Sequence, residues 1–468
     1  MASRKRERRP KAGRDDGHPL MMDTPNTSLP PLTPRDPVSV DTYRGAFERV
    51  TPLLPGSRLG WLRQAREDAI ERFSRIGFPT RQDEEWKYTN IAPIAEGRFS
   101  VMPPPSSTHL AGLVRAHALP GTHLLVFVNG LLEPTLCRIG KLPDGVVLRN
   151  LAYALDHHPA PVIESMLGAA KLEAATFSDL NLAFLADGAY LGLPRGTALE
   201  KPLQLLFIAG EGTPAIQPRN IIDVGARCSV SILEHYVALA GAPYFTNAVT
   251  EIQVGEEANV AHYKLEMEDR QAFHIANIRF TQAAGSRVVS GSYALGGRVA
   301  RTCIDVRLAA EGATCQLDGL YLADGHQLID HHTRVDHLQP RCTSHELYKG
   351  IIDGAARAVF NGRIVVHPGA SKTDASQANH NLLLSDNAEI DTQPRLEIHA
   401  DDVQCVHGAT VGSLDDEQIF YLRSRGIGTA AARSLLTHAF AGEIIERIPW
   451  PPLRERVGQL VEARLTRH

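Results

Sequence analysis

Asp401-Asp402-Val403-Gln404-Cys405-Val406-His407-Gly408-Ala409-Thr410-Val411-Gly412 closes one kind of chain, and Asp415-Asp416-Glu417-Gln418-Ile419-Phe420-Tyr421-Leu422-Arg423-Ser424-Arg425-Gly426 opens another. The first reads as a strand. The second reads as an acidic cap, a helix and a glycine stop. Cys405 and His407 are two residues apart on that strand, so period-two geometry points both to one face, about 7 Å apart. A soft metal ion, or a cluster iron bound by a single Cys or His, can be held in such a place.

Upstream of this junction, from about residue 119 to 412, short runs rich in Val, Ile, Leu and Tyr alternate with Gly, Asp, Asn and Pro. Runs at 124–128, 203–208, 228–235, 259–265 and 357–366 are of strand length with turn chemistry between them, which predicts an extended all-β body. A helical interruption is expected over 162–185, where Ala, Leu and Glu dominate. No strict repeat period stands out, so pattern alone leaves a β-sandwich, a propeller and a parallel β-helix open.

On either side the 3.6-residue period takes over. Trp61, Leu62, Ala65, Ala69, Ile70, Phe73 and Ile76 form an apolar stripe that Gly77 and Pro79 end, followed by a polar loop at 81–89 with an anchoring Trp86. A Pro-rich link at 102–107 marks a boundary. At the other end, helices are expected over 415–425, 429–447 and 452–465, the second presenting Ala430, Leu435, Leu436, Ala439, Phe440 and Ile444 on one face. The expected organisation is a tail (1–37), a helical region (38–118), a β core (119–412) and a small helical end-domain (413–468). Three helices of that size bury little by themselves, so leftover apolar surface, with Phe440, Ile444 and Leu436 as candidates, is expected to dock elsewhere.

The 468 residues suffice for a large core, with 43% hydrophobic and 22% charged residues. A net charge of -4 gives no basic field, which disfavours wholesale nucleic-acid binding. No run of apolar residues is long enough to span a membrane. The six cysteines, scattered from 137 to 405 without a C-x-x-C pair, suit a reducing cytoplasm and argue against an all-Cys site within one chain. Any metal ligands must come from far apart or from another chain. The basic, then Pro-rich, first residues are expected to be disordered. Either translation starts at Met21 or Met22, or the head is a tail that touches nucleic acid or membrane.

Taken together, several motifs in order resemble the SufD family of the SUF iron-sulfur cluster assembly machinery: Glu84-Glu85-Trp86-Lys87-Tyr88-Thr89, Asn181-Leu182-Ala183-Phe184-Leu185-Ala186-Asp187-Gly188, Asp330-His331-His332-Thr333, Gly350, Phe360-Asn361-Gly362, the segment 405–412 and the segment 418–426. The resemblance runs from about residue 38 to the end. It implies a right-handed parallel β-helix core between an N-terminal helical region and a C-terminal helical domain. It also implies pairing with the scaffold SufB through the β-helices and docking of the ABC-type ATPase SufC on the C-terminal helices. A nascent iron-sulfur cluster would be built where the two β-helices meet. The paralogous scaffold carries a Cys before a Leu-rich strand and a His-Glu-Ala-Thr element. Here those places read Asn379, ahead of His380-Asn381-Leu382-Leu383-Leu384, and His407-Gly408-Ala409-Thr410, which favours the SufD side.

The resemblance makes His407 an iron ligand and Cys405 a second candidate at the interface, each weighed against an ordinary buried residue. Nine of the 20 histidines lie between 326 and 407. Alternation splits His331 from His332, so a structural ladder of hydrogen-bonded polar residues is preferred there, with Asp330, His332, Asp336 and His345 as second-rank metal candidates. The stretch 367–373 only superficially resembles a phosphate loop: it lacks the glycine before Lys372 and opens no helix, so nucleotide binding is not expected of this chain. The function expected is a non-catalytic assembly subunit contributing to cluster building and iron supply. Rival readings are a metal-storing homodimer and a polysaccharide-active β-helix enzyme. The second is weakened by an aromatic content of 6%, too low for sugar platforms.

Overall fold

The computed structural model describes residues 40–465 apart from 102–109, 158–160, 170–174, 240 and 242. The tail at 1–37 and the link at 102–107 lie outside the described residues. Between them and the C-terminal helices the strand runs coil into a parallel β-helix of about eight turns. Strands alternate between two faces, giving two ten-stranded sheets in which, from Asn259–Glu266 onward, each new strand joins the one two places earlier.

Pairing is in register along whole strands: Val299–Leu308 lies on Phe273–Gln282, Leu328–His337 on Val299–Leu308, and Arg357–Val366 on Leu328–His337. One face of each strand fills the interior. There Leu317, Ile329, Val335, Phe360 and Ile364 are buried in one continuous core, opened by an aromatic ladder of Phe127, Phe207 and Tyr236 at centroid spacings of 5.0 and 4.8 Å.

One position in the turns into one sheet repeats strictly, although the turns differ in length. Arg227, Glu257, Gly285, Gly312, Arg341, Lys372 and Asp402 all have φ between 56° and 71°, and each stands two residues before a strand begins. A left-handed backbone costs a non-glycine residue roughly 1 kcal/mol. The cost is offset by bonds to the next turn, such as Arg227 N–H to Glu256 O (2.7 Å) and Lys372 N–H to Asp402 O (2.7 Å).

The N-terminal helices Val40–Val50 and Gly60–Ile76 pack with Ala175–Ala183 on the outer face of one sheet, where Tyr43, Phe73 and Phe184 share one core with Phe245, Phe273 and Ile275. The helical interruption expected over 162–185 is present as Pro161–Ala169 and Ala175–Ala183, with a further short helix, Leu151–His157, ahead of it. Pro161, lacking the N–H an interior position must donate, opens Pro161–Ala169.

The C-terminal helices Asp416–Ser424, Thr429–Glu446 and Pro451–Leu465 form as expected, but their apolar face does not. Ala441, Ile444, Ile445, Leu453 and Val457 pack onto Leu233, Tyr263, Leu265, Tyr293, Leu320 and Ile351 on the outer face of the other sheet. Ile444 is fully buried, so the expectation that it is an exposed docking residue is corrected. Phe440 is half-buried with its ring 4.4 Å from Lys349 Nζ, and Leu436 is half-buried. The leftover apolar surface of these helices is covered mainly by the chain's own β-helix.

Candidate functional site

Register assigns each side chain of the last turn. In the strand Gln404–Gly412, Cys405 lies over Ala375 and His407 over Gln377 of Asp374–Leu383. Ala375 and Gln377 are buried interior residues, at 1% and 2% exposure, so Cys405 and His407 also point to the interior side. Both share one face, as the sequence spacing requires. Among the described residues no further turn covers them: His407 is exposed, and Cys405 is half-buried against the core. Gln404–Gly412 and Glu389–Ile398 each end their sheet, unpaired on the outer side among the described residues. The β-helix is thus open at this end, with a thiol and an imidazole at its mouth.

Burial and, to a lesser degree, the Asp374 carboxylate push the Cys405 thiol upward. Cys405 is therefore protonated at neutral pH in the isolated chain, and a cation or a partner's positive charge is needed to make it a good soft ligand. Among the described residues no group of three or more His, Cys, Asp or Glu gathers to hold a metal ion.

Beneath His407 the interior is polar. Gln377 Nε2 donates to Glu346 Oε2 (3.1 Å), which also accepts from Thr333 Oγ1 (2.7 Å). Burial raises Glu346 to about 7, against the lowering effect of those two donors. Asn379, at the place where the resemblance puts the scaffold's Cys, is fully buried. It donates to Tyr321 Oη (3.0 Å) and accepts from Asn381 (2.6 Å) and Thr392 (2.8 Å). This position joins two sheets by hydrogen bonds and presents no nucleophile.

The other histidine candidates are held structurally. His331 stacks on Tyr321 and bonds to Ser292 Oγ (3.1 Å), while His332 faces the opposite side. His332 Nε2 meets Asp330 Oδ1 at 3.0 Å and Nδ1 meets Glu85 Oε2 at 3.3 Å, which engages both ring nitrogens. Burial alone would raise Asp330, but Arg301 and His332 hold it far below the usual carboxylate range. Asp336 is bonded by Arg334 and His367, and His345 is exposed on the outer face with Nδ1 2.7 Å from Ser376 Oγ. These residues do not converge with His407.

Two of the motifs meet in a clasp. The loop 84–89 crosses the outer face of the sheet, where Trp86 stacks on Arg301, Thr89 Oγ1 donates to Asp330 Oδ2 (2.5 Å) and Tyr88 Oη accepts from Gln393 Nε2 (2.9 Å). Arg395 reaches Glu84 at 3.1 Å. The loop thereby ties the N-terminal region to Glu389–Ile398, the terminal strand beside Cys405 and His407. Sequence reasoning took it for an anchoring loop but gave no sign of its partners, which lie over 200 residues away.

Residues 207–440 match the family described as SUF system FeS cluster assembly, SufBD core domain, and residues 39–205 match the SufBD protein N-terminal region. The chain belongs to the SufBD family. An iron-sulfur cluster assembly SufBD family protein of Synechocystis is 34% identical over 88% of this chain and 93% of its own length. The iron-sulfur cluster assembly protein SufD of Escherichia coli is 33% identical over 85% of this chain and 91% of its own, and SufD of Bacillus subtilis is 24% identical over 86% and 94%. Within the SufBD family this chain is SufD-like, an iron-sulfur cluster assembly protein. No helix among its described residues is long and apolar enough to cross a membrane.

Proposed function

We propose that this chain is a non-catalytic cytoplasmic subunit that joins a SufB-type scaffold through the open end of its β-helix and offers His407 to the iron of a nascent cluster. The observation that carries the reading is the last turn: two unpaired sheet edges frame an exposed imidazole and a half-buried thiol on one face. A second β-helix laid end to end would extend both sheets and cover that face. The cluster is cargo held between chains, which explains how two side chains suffice on this side. Neutral imidazole is a competent iron ligand, and Cys405 becomes one when iron displaces its proton. Cluster assembly needs energy that nothing in the stretch 367–373 can draw from nucleotide, so an ABC-type ATPase of the SufC kind, carried on the C-terminal helices, supplies it.

The test is anaerobic co-expression of the tagged chain with the SufB and SufC of the same organism, comparing wild type, His407→Ala and Cys405→Ala. Complex of unchanged composition, with iron and cluster absorbance lost in His407→Ala, supports the reading. Absence of any complex for wild type overturns the partner assignment. An intact complex with an unchanged cluster in His407→Ala makes His407 structural. Cys405→Ala then decides whether the thiol is a second donor.

A further inference from the structure

We infer that Gln377 is a positioning residue for His407, holding one ring nitrogen so that the other is presented to the cargo iron. The inference rests on the reading of His407 as an iron donor and concerns what aims it.

Successive strands of a parallel ladder stand about 4.8 Å apart, so residues in register form columns. His407 is the top of one such column, with Gln377 directly beneath it and Glu346 beneath that. Gln377 is 2% exposed, and its amide orientation follows from its neighbour: Nε2 donates to Glu346 Oε2, itself fixed by Thr333 Oγ1. The amide nitrogen is thereby committed downward. Gln377 Oε1 is buried and has no hydrogen-bond partner among the described residues. A buried amide oxygen without a donor costs about 1–3 kcal/mol, and the next side chain in the column carries an N–H of the right kind.

Gly362 gives a second, independent sign. It lies on the opposite sheet, over Thr333, and belongs to the Phe360-Asn361-Gly362 motif. A Cβ at this position would stand 2.2 Å from Gln377 Nε2, 2.5 Å from its Cδ and 2.8 Å from its Oε1, so the glycine makes room for the whole amide. Its neighbours in the same interior row, Phe360 and Ile364, are large. The glycine leaves the width that the Gln377 amide occupies, so residues on facing sheets are fitted to each other. A metal-bound histidine whose other nitrogen is held in this way has a fixed tautomer and ring plane, and loss of such a partner typically lowers metal affinity ~10–100-fold.

The experiment uses the full chain labelled with 15N-histidine, with the His407 resonances identified by their loss in His407→Ala, and the same variants in complex with scaffold and ATPase. A single dominant His407 tautomer is expected in wild type and in Gln377→Glu. Gln377→Leu, and Gly362→Ala through displacement of the amide, are expected to give a mixture and to lower iron affinity of the complex about tenfold or more. Gln377→Leu with wild-type tautomers overturns the inference, and if that variant fails to fold, Gly362→Ala decides on the same criterion. Iron lost in His407→Ala but retained in Gln377→Leu overturns the positioning role alone. Iron unaffected by His407→Ala overturns the donor reading and the inference with it.

Discussion

The guanidinium of Arg301 lies 3.8 Å from the centre of the Trp86 ring and 2.7 Å from both the Glu85 carbonyl and the Asp330 carboxylate. Arg301 and Asp330 are almost fully buried, and Arg301 is the largest favourable influence on the Asp330 charge, ahead of His332 and Thr89. Arg301→Met keeps most of the volume and removes the charge. It is expected to cost about 3–5 kcal/mol by leaving Asp330 with only His332 and Thr89 as partners. Adding Asp330→Asn should return part of that loss, since the pair is coupled. Denaturant unfolding of both variants checks this, and a loss under ~1 kcal/mol for Arg301→Met would show the clasp to be incidental.

Glu346 carries a pH signature of opposite sense to the salt-bridged carboxylates. Burial raises it to about 7, above the ordinary range for a glutamate. A raised folded value means the native state binds more protons than the unfolded state. Stability from this group is therefore full below about pH 4 and falls as pH rises toward 7. Glu346→Gln removes the penalty while keeping an acceptor for Thr333 and Gln377. The variant is expected to gain on the order of 3 kcal/mol over wild type at alkaline pH and nothing at acid pH. Paired unfolding curves at the two extremes measure it. A gain independent of pH would refute the titration account.

How much of this was legible in sequence follows from what each element asks of its residues. The helix at 60–76, the strands and the C-terminal helices show their own periods, and the common face of Cys405 and His407 follows from spacing alone. The β-helix repeat was hidden because its turns vary in length. Register partners Phe273 and Val299 are 26 residues apart, whereas Arg357 and Glu389 are 32 apart. The left-handed turn position is Gly at 285 and 312 but Arg, Glu, Lys or Asp elsewhere, so the usual glycine marker was absent from most turns. Ile444 departs from the sequence expectation for another reason: a helical stripe shows that a face is apolar, never what covers it. Gln377 carried no local signal, and Gly362 stood in a motif without a sign of its partner, because their meaning lies in a column and in a facing sheet that only the fold supplies.

Phe420 and Tyr421, on the helix Asp416–Ser424, and Leu435, on Thr429–Glu446, are 70%, 56% and 51% exposed. They, rather than Ile444, are the large apolar side chains these helices leave exposed, and the proposed ATPase contact would fall on them. Phe420→Asp and Leu435→Asp are expected to abolish retention of the ATPase while leaving the melting temperature unchanged. Ile444→Asp buries a charge against the β-helix and should cost several kcal/mol whatever the partner does. Pull-down and thermal melts run together separate the two. Full ATPase retention by the double variant Phe420→Asp/Leu435→Asp would place the docking surface elsewhere.

The open end has a consequence for the chain alone. Glu389–Ile398 and Gln404–Gly412 leave a row of unpaired backbone groups, and Val406, Val411 and Ile398 are 65%, 49% and 45% exposed beside them. Long edges with apolar side chains pair with whatever strand is offered, and a second copy of this chain offers the same ones in excess when no scaffold is present. A concentration-dependent homodimer is therefore expected for the purified chain. Val406→Lys with Ile398→Lys places charge on each edge and should shift sedimentation to monomer, with unfolding changed by less than ~1 kcal/mol because neither residue is buried. The same pair should weaken scaffold binding, since one surface serves both contacts. A variant that stays dimeric, or turns monomeric yet binds scaffold as well as wild type, would separate the two surfaces and disprove the shared-edge account.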